Sequence, residues 1–203
     1  MSEPLKPTGN NIEHAELIDP LEDGEVAKGD YSFPIPIIEN ATDLGQQIAD
    51  QDPPEQVTEK IGPFIISRSP ESHQGVQKQA IDFLVPDGTP VLASRDGLIV
   101  AYDVSHEKWG PSSDFADELN YLTIRHTNED GTVEFTQYAH LAKNSIPQEI
   151  LTNKKVKEGQ VIATTGKTGW TDRDHLHFLT FRGDNNPEHY KSLVPKFKSE
   201  NKE

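Results

Sequence analysis

Eight histidines punctuate a chain that has no cysteine, and two of them, His175 and His177, flank Leu176 at the head of a strand-like run. Alternate side chains of a strand share a face. His175 and His177 therefore point the same way, about 6.6 Å apart at about 3.3 Å per residue, while Leu176 and Phe178 point into a core. Two imidazoles so placed suit a metal and its water, and equally suit two surface positions on an edge strand. Other chemistries are excluded. Without cysteine there is no disulfide scaffold, cysteine zinc finger or thiol nucleophile. Neither a G-x-S-x-G elbow nor a G-x-G-x-x-G turn occurs. Residues 163–168 imitate the end of a phosphate loop, but the glycine required five positions before Gly166 is Val161.

The elements that must hold such a pair are short strands. Turn signals at Gly62-Pro63, Pro86-Asp87-Gly88 and Asp130-Gly131 bound runs rich in β-branched and aromatic residues. These runs are Ala80–Val85, Val91–Ala93, Leu98–Val104, Tyr121–His126, Thr132–Leu141, Val161–Thr165 and Leu176–Phe181. Asn128–Gly131 turns the fourth into the fifth as a hairpin. Ser145–Asn153 suits a short helix, and Lys191–Glu203 reads as a basic, fraying end. The fold class expected is mainly β, an antiparallel sheet or barrel-sandwich hybrid.

Charge divides the chain. Of the 203 residues, 34 are acidic and 19 are Lys or Arg, a net −15, and only 33% are apolar. Residues 1–60 carry 14 acidic residues, 3 lysines and seven of the 15 prolines. They read as an acidic, largely irregular arm, mobile over residues 1–30, with Tyr31–Ile38 able to lie on the body as an edge strand. The expected division is arm 1–60, β domain 61–185 and tail 186–203. An acidic chain repels phosphate backbones, so nucleic acid is not an expected partner. No run of about 18 apolar residues suggests a spanning helix. The segment MSEPLKPTGN lacks a secretory pattern, which places the chain in the cytoplasm unless a leader was removed or export uses another route.

Four blocks together are more specific than the histidine pair. They are Ala80-Ile-Asp-Phe83 with Pro86-Asp-Gly-Thr-Pro-Val91 and Ala93–Gly97; Gln137–Leu141, containing Tyr138 and His140; Val156–Trp170, containing Gly159-Gln160, Gly166 and Thr168-Gly169; and Asp174–Phe178. In order and spacing they resemble the lysostaphin-type zinc metallopeptidases over residues 73–182. The resemblance implies one zinc held by a histidine, an aspartate and the second histidine of H-x-H. By position the last two are Asp82 and His177, while His140 and His175 match the two histidines that assist the catalytic water.

The first ligand departs from the pattern. The family places it four residues before the aspartate, where this chain has Lys78. His73, nine residues before Asp82 in Ser72-His-Gln-Gly75, keeps the family's H-x-G pattern, and looping out Val76–Ala80 returns Asp82 to the site. The resemblance then implies a zinc endopeptidase acting on peptidoglycan peptides, at the cell envelope. If His73 lies on the surface instead, only Asp82 and His177 remain, and a degenerate binding or regulatory module on the same fold is the alternative. Trp109 and Trp170 fall in loops that can rim a groove. Tyr138 shares a strand face with His140 and suits orienting it. Arg125 and Lys143 read as solvated charges, and His106 and His126 as structural or exposed.

Overall fold

The computed structural model describes residues 15–17, 24–51, 58–70, 72–183 and 189–198. Along the chain the elements are β1 (Ala15–Leu17), β2 (Glu25–Tyr31), α1 (Ala41–Ala49), β3 (Thr58–Ile61), β4 (Phe64–Ser67), β5 (Ile81–Phe83), β6 (Pro90–Leu92), β7 (Gly97–Asp103) and β8 (Trp109–Gly110). They continue with β9 (Tyr121–Thr127), β10 (Val133–Ala139), α2 (Gln148–Asn153), β11 (Lys155–Val156), β12 (Val161–Thr164), β13 (Gly169–Trp170), β14 (Leu176–Arg182) and β15 (Lys191–Lys198). The protein is mainly β, as the spacing of turn signals and β-branched runs implies, and each expected run forms a strand.

The main sheet runs β11-β7-β9-β10-β14-β5-β4-β3, with β15 pairing β14, β2 and β1. All pairs along the eight-strand path are antiparallel. β14 is an interior strand, hydrogen-bonded to β10 on one side and to β5 and β15 on the other. This answers the edge-strand reading of the histidine pair. Leu176 and Phe178 point into the core, where Phe33, Phe64, Phe83, Phe178 and Phe197 cluster; Phe33 stacks on Phe197 with ring centroids 4.9 Å apart. A period-two strand with an aliphatic and aromatic face must then present His175 and His177 on the other.

The expected boundaries of the body are corrected at both ends. Residues 25–51 and 58–61 belong to the packed structure: Ala27, Tyr31, Phe33 and Ile35 are core residues, and α1 buries Ile48 against Ile65 and Leu84. The described part of the expected tail, residues 189–198, is also structural, because β15 buries Leu193, Val194 and Phe197. Charge explains why composition misled. Acidic Glu25 pairs with Arg182 and Lys191, and Asp30 pairs with Lys196 at 2.7 Å. The acidic segment and the basic end are each other's partners through the parallel β2–β15 ladder. Residues 1–14 and 18–23 of the segment expected to be mobile lie outside the described residues, as do 184–188 and 199–203 of the expected tail. Among the described residues, no helix is long and apolar enough to cross a membrane.

Candidate metal centre

Register alone assembles most of the site. Ser67 on β4 faces Asp82 on β5, Asp82 faces His177 on β14, and His177 faces Ala139 on β10. Directly opposed residues hold their Cβ atoms about 4.5–5.5 Å apart, so Asp82 and His177 meet without any loop to bring them together. His177 Nδ1 lies 3.1 Å from Asp82 Oδ1. His175, two residues earlier on the same face, brings Nε2 to 3.6 Å from the same oxygen.

His73 arrives from the loop between β4 and β5. Its N–H donates to Ser69 O at 2.8 Å, closing a turn. Gly75 at φ 58 then enters the left-handed region that glycine tolerates, and a single 3₁₀ turn, Gly75–Gln77, takes up the extra residues. His73 is buried, with Nε2 3.1 Å from His177 Nδ1 and 3.3 Å from Asp82 Oδ1. Lys78 is half-buried and is not among the residues lining the cavity over this cluster.

His140 follows the last residue of β10. Strand alternation would place it beside Tyr138, but its φ of 58 turns it to the opposite face. The expectation that Tyr138 orients His140 is therefore corrected: the Tyr138 hydroxyl accepts from Ser94 N at 2.9 Å and shares a hydrogen bond with Thr136 Oγ1 at 3.2 Å, within the core. Thr168 does the orienting. Its carbonyl accepts from His140 Nδ1 at 2.7 Å, and its hydroxyl donates to Leu141 O at 3.1 Å. Gly169 at φ 80 lets the chain leave in β13, which gives a local reason for the Thr168-Gly169 pair noted in the sequence. His140 and His175 stack edge to face with centroids 4.5 Å apart.

Hydrogen bonds fix two tautomers. Carbonyls only accept, so His140 carries its proton on Nδ1 toward Thr168 O, and His175 carries its own on Nδ1 toward Arg173 O at 3.2 Å. Either ring, when neutral, then has Nε2 as its acceptor. Electrostatics follow from burial beside one carboxylate. Burial would raise the Asp82 pKa, but His73, His175 and His177 outweigh it and hold the carboxyl well below the usual range. Burial, and then the neighbouring His175 and His177, push His140 well below the ordinary histidine value. Burial also lowers His177, against the pull of Asp82. His73 is opposite in sign: burial lowers it, but the Asp82 carboxylate and the backbone carbonyls of Arg68 and Ala80 prevail and raise it.

The donor set fits a metal. His73, Asp82 and His177 each offer one ligand atom, all within 4.8 Å of one another. The three closest donor separations are 3.1, 3.1 and 3.3 Å. Tetrahedral zinc with ligands at about 2.0–2.1 Å needs donor separations of about 3.3 Å, so the triangle matches one face of that tetrahedron. Two ring nitrogens and a carboxylate oxygen gathered in a buried place also need a cation or a proton among them.

A cavity of about 920 Å³ opens over the cluster, lined also by Gln137, Trp170, Thr171 and Arg173. Trp170, nearly half exposed, contributes to this lining as its loop position suggested. Trp109 bridges to Gly169 in the β8–β13 ladder, and its ring lies under Lys167 Nζ. Arg125 bonds Thr127 and Lys143 pairs with Glu107, both outside the cavity lining. His106 pairs with Asp103 and Glu118, and His126 is fully buried. Ser69 and Thr168 carry site-holding bonds that no chemical motif announces; only the Thr168-Gly169 block marked one of them.

The model of Peptidase family M23 matches residues 76–188, more than half of the chain and beginning just after His73. The peptidoglycan DD-endopeptidase ShyC of Vibrio cholerae serotype O1 is 34% identical over 108 residues, 53% of this chain and 20% of that protein. The DD-carboxypeptidase/endopeptidase Mpg of Neisseria meningitidis serogroup B is 34% identical over 116 residues, 57% of this chain and 23% of that one. The chain thus spans about a fifth of the length of these curated relatives. Among solved structures, the catalytic domain of lysostaphin from Staphylococcus simulans aligns at 25% identity and a TM-score of 0.39, covering 59% of this chain and 80% of that domain. With the family's model matched over most of β5 to β14, and with Asp82, His140, His175 and His177 all inside that match, the chain belongs to Peptidase family M23.

Proposed function

We propose that the protein is a zinc metalloendopeptidase that hydrolyses peptide bonds of peptidoglycan at the cell envelope. The observation that carries this reading is the buried triangle of His73 Nε2, Asp82 Oδ1 and His177 Nδ1, with separations suited to one tetrahedral ion and a neighbouring pair of histidines outside it. Zinc held by these three residues supplies Lewis acidity to the scissile carbonyl and lowers the pKa of a water to about 7. The remaining work falls to the protein. His140 and His175 present Nε2 as acceptors, so either can take a proton from the attacking water. The ring that takes it becomes an Nε2–H donor, able to hydrogen-bond the developing oxyanion or to pass the proton to the leaving amine. Thr168 O and Arg173 O keep both rings from flipping to the other tautomer. The relatives named as peptidoglycan endopeptidases support the substrate class.

A binding module without hydrolysis is the reading favoured by Lys78 at the usual ligand position. The approach of His73 Nε2 to both other donors favours the enzyme. Zinc content measured beside cleavage of a panel of peptidoglycan peptides separates the two. Hydrolysis that depends on zinc supports the enzyme, and full zinc occupancy with no cleavage across the panel supports the module.

A further inference from the structure

We propose that Ser69 is a positioning residue for the metal site: its hydroxyl sets the rotation of the Asp82 carboxylate, and its carbonyl closes the turn that delivers His73. This rests on the metal-site reading above and goes beyond it. The two oxygens of Asp82 are divided between different partners. Oδ1 faces His73, His175 and His177, whereas Oδ2 accepts the Ser69 hydroxyl at 2.5 Å. A carboxylate turns about a broad terminal torsion, so tying Oδ2 selects the rotation that aims Oδ1 at the other donors. Asp82 is 3% exposed, so solvent offers Oδ2 little alternative.

The backbone carries the second half. Ser69 sits at φ 41, in the region that non-glycine residues rarely enter. Such conformations are unfavourable and persist where their surroundings require them. Here the conformation lets one carbonyl accept both Ser72 N at 3.0 Å and His73 N at 2.8 Å, while the hydroxyl reaches across to β5. Ser67 Oγ, 3.3 Å from Ser69 Oγ and opposite Asp82 in register, completes a buried network. One residue thus ties two of the three donors to each other. That tie is what a ligand nine residues before Asp82 requires, since Lys78 occupies the position four residues before it.

The test uses the full chain, stripped of metal and titrated with zinc against a competing chelator dye, with melting temperatures recorded in the presence and absence of zinc. Ser69→Gly removes the hydroxyl, keeps the carbonyl and suits the positive φ. Ser69→Ala removes the hydroxyl and keeps the Cβ. Both variants are expected to bind zinc about 10–100-fold more weakly, the usual effect of losing a partner behind a metal ligand. Ser69→Gly is expected to melt close to wild type without metal and to gain less from zinc. Zinc affinity of Ser69→Gly equal to wild type would overturn the proposal. So would a lower metal-free melting temperature with an unchanged rise on adding zinc, which is the signature of a purely structural residue. A wild-type chain that binds zinc no better than His177→Ala would overturn the metal-site reading itself, and Ser69 with it.

Discussion

Replacing His126 with glutamine should remove a large part of the acid sensitivity of the fold. His126 is fully buried on β9, its Nδ1–H donating to Asp96 O at 2.9 Å and its Nε2 accepting from Thr136 Oγ1 at 2.9 Å. That chain continues through Tyr138 to Ser94 N and braces β10, the strand that ends just before His140. The neutral ring is satisfied on both sides. Burial is the main reason its pKa falls to about 4, and Arg95 adds to it. The folded pKa lies below the unfolded one of about 6.5, so the contribution to stability is complete above about pH 6.5 and is lost as the pH falls toward about 4. Two and a half units at about 1.4 kcal/mol each give roughly 3 kcal/mol in all, of which about 2 kcal/mol is gone at pH 5. Urea unfolding in chelator at pH 7.5 and pH 5.0 measures this in both proteins, and the other titrating groups are common to the two. Wild type should lose about 2 kcal/mol more than His126→Gln between these pH values. Parallel losses would show that His126 takes up its proton in the fold as readily as in the unfolded chain.

The two kinds of site histidine should fail differently. His177→Ala and Asp82→Asn should abolish zinc binding, whereas His140→Ala and His175→Ala should retain zinc and lose about 10²–10⁴ in turnover on a peptidoglycan peptide. If His175→Ala and His177→Ala both kept zinc, or both lost it, the assignment of roles would be wrong. Phe197→Ala, in the strand that composition read as a frayed end, should cost about 3–5 kcal/mol because the ring stacks on Phe33 and packs against Phe83 and Phe178. A cost below 1 kcal/mol by the same unfolding measurement would show that β15 is dispensable to the core.

How much of this was legible in the sequence depended on how local the cause was. The H-x-H geometry follows from strand period alone, so the common face of His175 and His177 and the inward face of Leu176 and Phe178 were readable. The hairpin from Tyr121 to Ala139 was readable because its turn chemistry lies between two alternating runs. Long-range charge pairing was not. Glu25 and Asp30 counted toward a solvated arm, although their partners Lys191, Arg182 and Lys196 lie more than 150 residues away. His140 was placed on the wrong face, because one left-handed residue at a strand end cancels the alternation that the sequence displays. His73 was found through an H-x-G pattern and not through its spacing. Ser69, whose function depends on a turn and a cross-strand approach, left no signal that a motif captures.

Zinc affinity measured in parallel for wild type, His73→Ala and Lys78→Ala tests the ligand assignment most directly. If His73 completes the set, wild type and Lys78→Ala should each hold about one zinc per chain, and His73→Ala should hold almost none under the same chelator competition. Equal affinity of wild type and His73→Ala would contradict it, leaving Asp82 and His177 without the third donor on which the proposed chemistry depends.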